Sequence, residues 1–427
     1  MAETGLRRVA ALACTREIAA HQKTWFAEIR ARAGDGEPVA VVSADSPHEL
    51  FRALDIPYIV VQWWSSVLAA KQLGPRYLAR LAEAGYPDDR EQYNALPFGE
   101  VLDGGGDGGG DAAWGGLPHP TFLQCALGTD GLRHLFEAWA DECGARFFPL
   151  ERTVDIRPEL PVAWWDELPH HWDRVLPAER LDALAEELEE LAGHLARATR
   201  RRFSRDRLEE VMALANAQAE ANRRARDTIA ASPGMPVPVG ETMPAVMIPQ
   251  WHRGSPWARD AAQGFAAEVE RRCASVEGGG ELRLMWLGRG LWSSLGFYDA
   301  FRASGADFVW SMYLGLAADG YARYLDGRDP LRALASRFVP MGEELRMPTW
   351  SSAWHLKEAR LHRVDGAVSV GEDAYFSARL LEAHDIPVLE IAANNVDRRT
   401  WDETGLTVEI ARFLDERVRP ARARRTA

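Results

Sequence analysis

Cysteine is scarce in this chain. There are four in 427 residues, Cys14, Cys125, Cys143 and Cys273, and no two are close enough for a C-x-x-C metal-ligand pair. Sparse, unpaired thiols agree with a reducing compartment. Long apolar runs are missing as well: the longest, such as Ile59–Val61 with Trp63 and Trp64, fall far short of a membrane span. The first residues hold no apolar stretch with a small-residue cleavage site, so no secretory signal is expected. Positive charge is in the minority: 50 Lys and Arg against 63 Asp and Glu give a net charge of −13, the wrong sign for a general nucleic-acid binder. Several catalytic patterns are absent, namely H-E-x-x-H, G-x-S-x-G and G-K-[ST]. The expectation is a cytoplasmic protein with neither membrane nor nucleic acid as a partner.

What is present reads as an α/β protein of two or three domains. Apolar content is 47% and charged content 26%, ordinary for a globular chain. Residues 7–33 carry helical periodicity. Pro38–Ala44 and Tyr58–Gln62 are short β-branched strands around a helix opening at Ser46-Pro47-His48-Glu49, with Ser46 or Asp45 as the cap. His119–Gln124, Asp130–Glu142 and Arg146–Leu150 continue the strand–helix–strand rhythm, which implies a parallel sheet with helical crossovers. Between 177 and 230 the period changes: Leu181, Leu184, Leu188 and Leu191, then Leu208, Val211, Met212 and Ala215, mark long helices that end at Pro233–Pro238. The alternation then resumes, with strands at Leu282–Leu287, Asp307–Trp310, Gly366–Val370 and Val388–Ile391. Helices are expected at Ser293–Ser304, Ala374–His384 and Thr407–Val418. The predicted plan is N-terminal helices (1–36), a first Rossmann- or flavodoxin-like domain (37–175), a helical insert (176–275) and a second such domain (276–427), with the ligand cleft between the α/β domains.

Individual motifs are weak. The glycine run Gly104–Gly110, broken by Asp107, has no following Lys-Ser/Thr and reads as a flexible loop. Gly288-Arg289-Gly290 follows a strand and mimics a dinucleotide fingerprint. Its third glycine position is Ser293, and the ribose acid is missing. An anion at this turn is the remaining reading, with Arg289 meeting a phosphate. His170-His171, among Trp164, Trp165 and Trp172, reads as a structural loop, and Arg200–Arg202 as a solvated helix end or a phosphate contact. Sixteen tryptophans exceed what a core alone needs, and Trp63-Trp64 reads either as a buried strand end or as exposed interface.

The order of these pieces, over roughly residues 35–420, resembles the 2-hydroxyacyl-CoA dehydratase and benzoyl-CoA reductase family, in its cluster-carrying component. The residues that carry the likeness are Ser46-Pro47-His48-Glu49-Leu50 through Ile56-Pro57, Ala69-Ala70-Lys71, Gly85-Tyr86-Pro87-Asp88-Asp89 with Tyr93, and Leu117-Pro118-His119-Pro120. Further along come Leu287-Gly288 through Gly305-Ala306, Val364-Asp365-Gly366-Ala367-Val368, Ile386-Pro387-Val388-Leu389-Glu390 and Asp397-Arg398. The resemblance implies an acyl-CoA substrate and a homologous second subunit. It also implies an ATP-dependent activator and a [4Fe–4S] cluster that delivers an electron to the thioester carbonyl, for dehydration or reduction.

The three cluster cysteines of the family would fall near Glu91, near Thr129–Asp130 and near Ala374, and none is cysteine here. Thiolates are the usual ligands of such clusters, and carboxylates are poor substitutes. The chain is therefore expected to bind no cofactor itself and to pair with a subunit that holds the cluster. The alternatives are a clusterless enzyme doing acid–base chemistry on an acyl-CoA through Glu91 and Asp130, or a non-catalytic assembly protein. Ser46, Glu49, Trp64, Gly288, Arg289 and Gly290 are the expected substrate-binding residues.

Overall fold

The computed structural model describes residues 11–105, 112–151, 161–276, 279–339, 348–370, 374–397, 399 and 402–426. Most of the glycine run, and Arg398 of the last family motif, lie outside them. Two four-stranded sheets are present, every pairing parallel. The first contains β1 (Ala40–Val42), β2 (Tyr58–Val60), β3 (Phe122–Ala126) and β4 (Arg146–Leu150) in the order β2-β1-β3-β4. The second contains β5 (Leu282–Leu287), β6 (Ala306–Ser311), β7 (Gly366–Val370) and β8 (Val388–Ile391) in the order β6-β5-β7-β8. Both share the flavodoxin-type 2-1-3-4 order, as the alternating pattern predicts. β1, β2, β3, β5, β6 and β7 are buried along their whole length, as strands covered on both faces must be.

Between the sheets run the helices Ala178–Thr199, Arg205–Ala231, Val239–Trp251 and Pro256–Ala274. Leu181, Leu184, Leu188, Leu208, Val211 and Met212 are almost completely buried, the apolar stripe that their spacing predicts. One hydrophobic cluster runs from the first sheet through these helices into the second. A smaller one gathers Trp286, Phe297, Tyr298, Phe301 and Phe308 with Ile410 and Phe413 of the closing helix.

Four local expectations need correction. β2 stops at Val60, and Val61–Ala70 is a helix. Trp63 and Trp64 are therefore helical, and at 2% and 0% exposure they offer no interface surface. The expected helix Ser293–Ser304 is two short 3-10 turns, Leu295–Asp299 and Arg302–Ser304. Phe297, Tyr298 and Phe301 all pack onto the Trp286–Phe308 side of the sheet, while the Tyr298 hydroxyl accepts from the Leu291 N–H. His170 and His171 lie in the helix Trp164–Val175, with His170 stacked on Tyr324 at 4.4 Å. Neither Ser46 nor Asp45 caps the helix His48–Ala53; Ser46 Oγ instead donates to the Gln124 carbonyl at 3.2 Å.

Candidate functional site

In each sheet the strand order reverses beside the first strand, between β1 and β3 and between β5 and β7. The crevice outside the carboxyl ends of these strands is where such sheets place ligands. The segments that follow the strands carry the predicted positions: Ser43–Ser46 after β1, Thr129 after β3, Gly288–Gly290 after β5 and Ala374 after β7. The two halves are tied together at this level. Gln72 Nε2 donates to the Ser293 carbonyl at 3.0 Å, and Asn394 donates to Gln92. Gly74 lies so close to the chain after β8 that a Cβ there would sit 2.1 Å from the Val396 oxygen.

The first wall is a relay of amide and carboxylate groups. The Ala44 N–H donates to Gln62 Oε1 (2.7 Å), Gln62 Nε2 to Asn94 Oδ1 (2.8 Å) and Asn94 Nδ2 to Glu91 Oε2 (2.7 Å). Thr129 Oγ1 donates to Glu91 Oε1 at 2.6 Å and also caps the helix Asp130–Cys143 by accepting from the Leu132 N–H. Glu91 adopts φ +47, a left-handed conformation that a residue with a Cβ occupies only when its surroundings enforce it. Two of the three expected cluster positions, Glu91 and Thr129, are thus neighbours, joined directly to each other.

The second wall is the turn after β5. Gly288 has φ +96, and a Cβ on it would lie 2.9 Å from the Val370 oxygen, so only glycine fits. The Gly290 N–H donates to the Tyr313 hydroxyl at 2.8 Å, and Tyr313 packs on Trp292 at 5.5 Å. Arg289 is exposed, and its guanidinium has no hydrogen-bond or ion-pair partner among the described residues. Tyr93 reaches towards this wall from the first half. It donates to the Gln62 carbonyl at 2.9 Å, burial pushes its hydroxyl well above the usual range, the nearby Tyr313 adds to that rise, and the charge of Arg289 opposes it. Burial raises Tyr313 in the same way, against the Gly290 N–H and Arg289. Tyr93, Tyr313 and Arg289 therefore share one neighbourhood assembled from both halves.

The other predicted site residues lie elsewhere. Asp130 is exposed in the first turn of its helix, within the field of Arg133. Ser46 and Glu49 are fully buried, and Glu49 Oε1 accepts from Arg253 Nε (3.0 Å) and Arg337 Nη1 (2.7 Å) inside the molecule. Trp64 has no exposed surface; its indole N–H donates to Glu100 and its ring stacks on Phe26 at 4.4 Å. Gln62, Asn94, Tyr313 and Asn394 were not singled out by sequence. Gln62 carried a signal, a polar side chain interrupting the apolar run from Tyr58 to Trp64.

The donors at the three expected positions do not fit a [4Fe–4S] cluster. Glu91 and Thr129 are spent on each other, and Ala374 has no ligating atom and is 4% exposed. The thiols lie on separate elements. Burial, with Glu268 beside it, pushes Cys14 up to about 12, and burial also raises Cys143 and Cys273, which disfavours the thiolate a metal needs. Among the described residues no three His, Cys, Asp or Glu side chains form a metal-holding group. No helix among them is long and apolar enough to cross a membrane.

A family model described as 2-hydroxyglutaryl-CoA dehydratase, D-component, matches residues 44–416. No curated protein matches the chain.

Proposed function

The chain belongs to the 2-hydroxyglutaryl-CoA dehydratase D-component family, and from that premise we propose that it is the clusterless subunit of a 2-hydroxyacyl-CoA dehydratase or benzoyl-CoA reductase-like complex. It binds an acyl-CoA thioester in the crevice between its sheets and pairs with a homologous subunit that holds the [4Fe–4S] cluster and is recharged by an ATP-dependent activator. The observation that carries this reading is the Thr129–Glu91 bond at 2.6 Å, which closes the position of two expected thiolates with a carboxylate–hydroxyl pair. No step through a cluster follows for this chain.

Its own residues bind and orient. Arg289, exposed and without a partner among the described residues, supplies a cation for a CoA phosphate. Tyr93 and Tyr313 form a water-poor wall at the thioester, and the Gln62–Asn94–Glu91–Thr129 relay holds the opposite wall rigid. The test is iron analysis of the chain alone and of the chain co-expressed with a three-cysteine homologue. Iron only in the co-purified pair supports the reading; stoichiometric iron in the chain alone sinks it.

The strained Glu91 backbone favours a second reading, a clusterless acid–base enzyme acting on an acyl-CoA. Turnover by the pure chain, lost in Glu91→Gln and retained in a surface control, would move the assignment there.

A further inference from the structure

A second cavity lies away from the crevice. β4 is an edge strand, and its first residues, Arg146–Phe148, pair with Phe122–Gln124 of β3, on the amino-terminal side of the sheet from Thr129. With the last turns of the helix Ala178–Thr199 they border an open cleft of about 680 Å³, lined by Arg146, Phe147, Phe148, His194, Arg197 and Arg200. That volume is within the range of small-molecule sites.

Three guanidiniums converge here on a chain whose net charge is −13. Nearby arginines find carboxylates: Arg133 pairs with Glu137, Arg201 with Glu37 and Arg205 with Glu189. In the cleft, the Arg197 guanidinium reaches only His194 Nδ1 among the described residues, at 3.1 Å. Arg146 and Arg200 are exposed, and their guanidiniums have no hydrogen-bond or ion-pair partner among the described residues. Complementing the helix dipole accounts for Arg197 and Arg200, but Arg146 arrives from the sheet and needs another reason. Aromatic surface accompanies the charge: Phe148 is half-buried, with its ring centroid 6.0 Å from that of His194.

We propose that this cavity binds a phosphorylated nucleoside, the phosphate among Arg146, Arg197 and Arg200 and the base against Phe148 and His194. The site does not depend on the acyl-CoA assignment of the crevice. The shared chemistry, a phosphorylated adenosine, occurs both in free nucleotides and at the nucleotide end of coenzyme A, so ADP and 3′-phospho-ADP are the probes.

Calorimetric titration of the full chain is expected to show one of the two binding at least about tenfold more tightly than inorganic phosphate. Tighter ADP identifies a free nucleotide; tighter 3′-phospho-ADP identifies the coenzyme. Arg146→Ala and Arg200→Ala each weaken nucleotide binding by about tenfold or more, the loss of one charge-assisted contact. Phe148→Leu weakens the nucleotide but not phosphate, and Arg259→Ala, which removes only an ion pair with Asp260 outside both sites, changes neither. Neither arginine supports a neighbour, so both variants melt with the parent protein, and lost binding is not lost folding. The proposal is overturned if neither nucleotide binds at millimolar concentration, if both arginine variants bind like the parent, or if phosphate binds as tightly as the nucleotides.

Discussion

Replacing Glu49 by Gln separates a structural role from a binding role at this position. Its carboxylate oxygen accepts from Arg253 at 3.0 Å and from Arg337 at 2.7 Å, and none of the three side chains is more than 1% exposed. Both guanidiniums also lie over the Tyr321 ring, at 5.0 and 5.4 Å. The amide keeps the shape, removes the charge and strands two buried cations. Removing one partner of a buried pair costs about 3–5 kcal/mol. With an unfolding entropy near 2.1 cal/mol/K per residue, 427 residues lose about 0.9 kcal/mol per degree, so Tm falls by about 3–6 °C.

The pH dependence adds a second readout. Burial pushes Glu49 up, but Arg337 and Arg253 outweigh it and hold the carboxyl below its ordinary value. A depressed acid contributes stability above its unfolded pKa, about 4.3, and loses it as pH falls through the folded value. The deficit of Glu49→Gln, measured by circular-dichroism melting, is therefore full at pH 7 and shrinks below about pH 4. Replacing all three groups by apolar residues of similar size recovers most of the loss. A Glu49→Gln protein that melts within about 1 °C of the parent at pH 7 refutes this account and returns Glu49 to a binding role.

Three further outcomes follow from the same geometry. Burial raises Glu100 to about 7 despite donors from Trp64, Leu117 and Tyr77. Its contribution is present below about pH 4.5 and is lost as pH rises through 7, so Glu100→Gln is more stable than the parent at pH 8, by roughly 3 kcal/mol in denaturant titrations, with the advantage fading towards pH 5. Burial lowers His355 to about 4, so its neutral form contributes stability above about pH 6.5 that disappears as pH falls towards 4. His355→Gln, which keeps a partner for Ser377, flattens the acid limb of the stability curve in that window, and an unchanged slope counts against a buried neutral imidazole. Gly288→Ala meets both φ +96 and the Val370 oxygen and loses about 1–3 kcal/mol, whereas Gly264→Ala, in open space on the helix Pro256–Ala274, gains up to about 1 kcal/mol in paired thermal melts.

Periodicity alone located the parallel strands, the long central helices and the break at Pro233–Pro238, because each depends on residues within a few turns of one another. The glycine turn after β5 was legible for the same reason. Aromatic packing overrode local pattern at Ser293–Ser304, where three rings on one side of the chain prefer the sheet to a continuous helix. The chain after Val60 closed into a helix that buries both tryptophans, although the same residues extend the strand pattern. Glu49 looked like a residue at a strand's carboxyl end and proved to be the counter-charge of two arginines more than 200 positions away along the chain.

The candidate site divides in the same way. That Glu91, Thr129 and Ala374 stand where thiolates are expected is a property of the sequence, since residue identity at an aligned position needs no coordinates. That Glu91 and Thr129 bond to each other, that Gln62 and Asn94 complete their relay, and that Tyr93 lies within the electrostatic reach of Tyr313 and Arg289, was decided only by tertiary structure. The physical reason is register: parallel strands far apart in sequence align their carboxyl ends, and only that alignment brings polar side chains from separate crossovers within hydrogen-bonding distance.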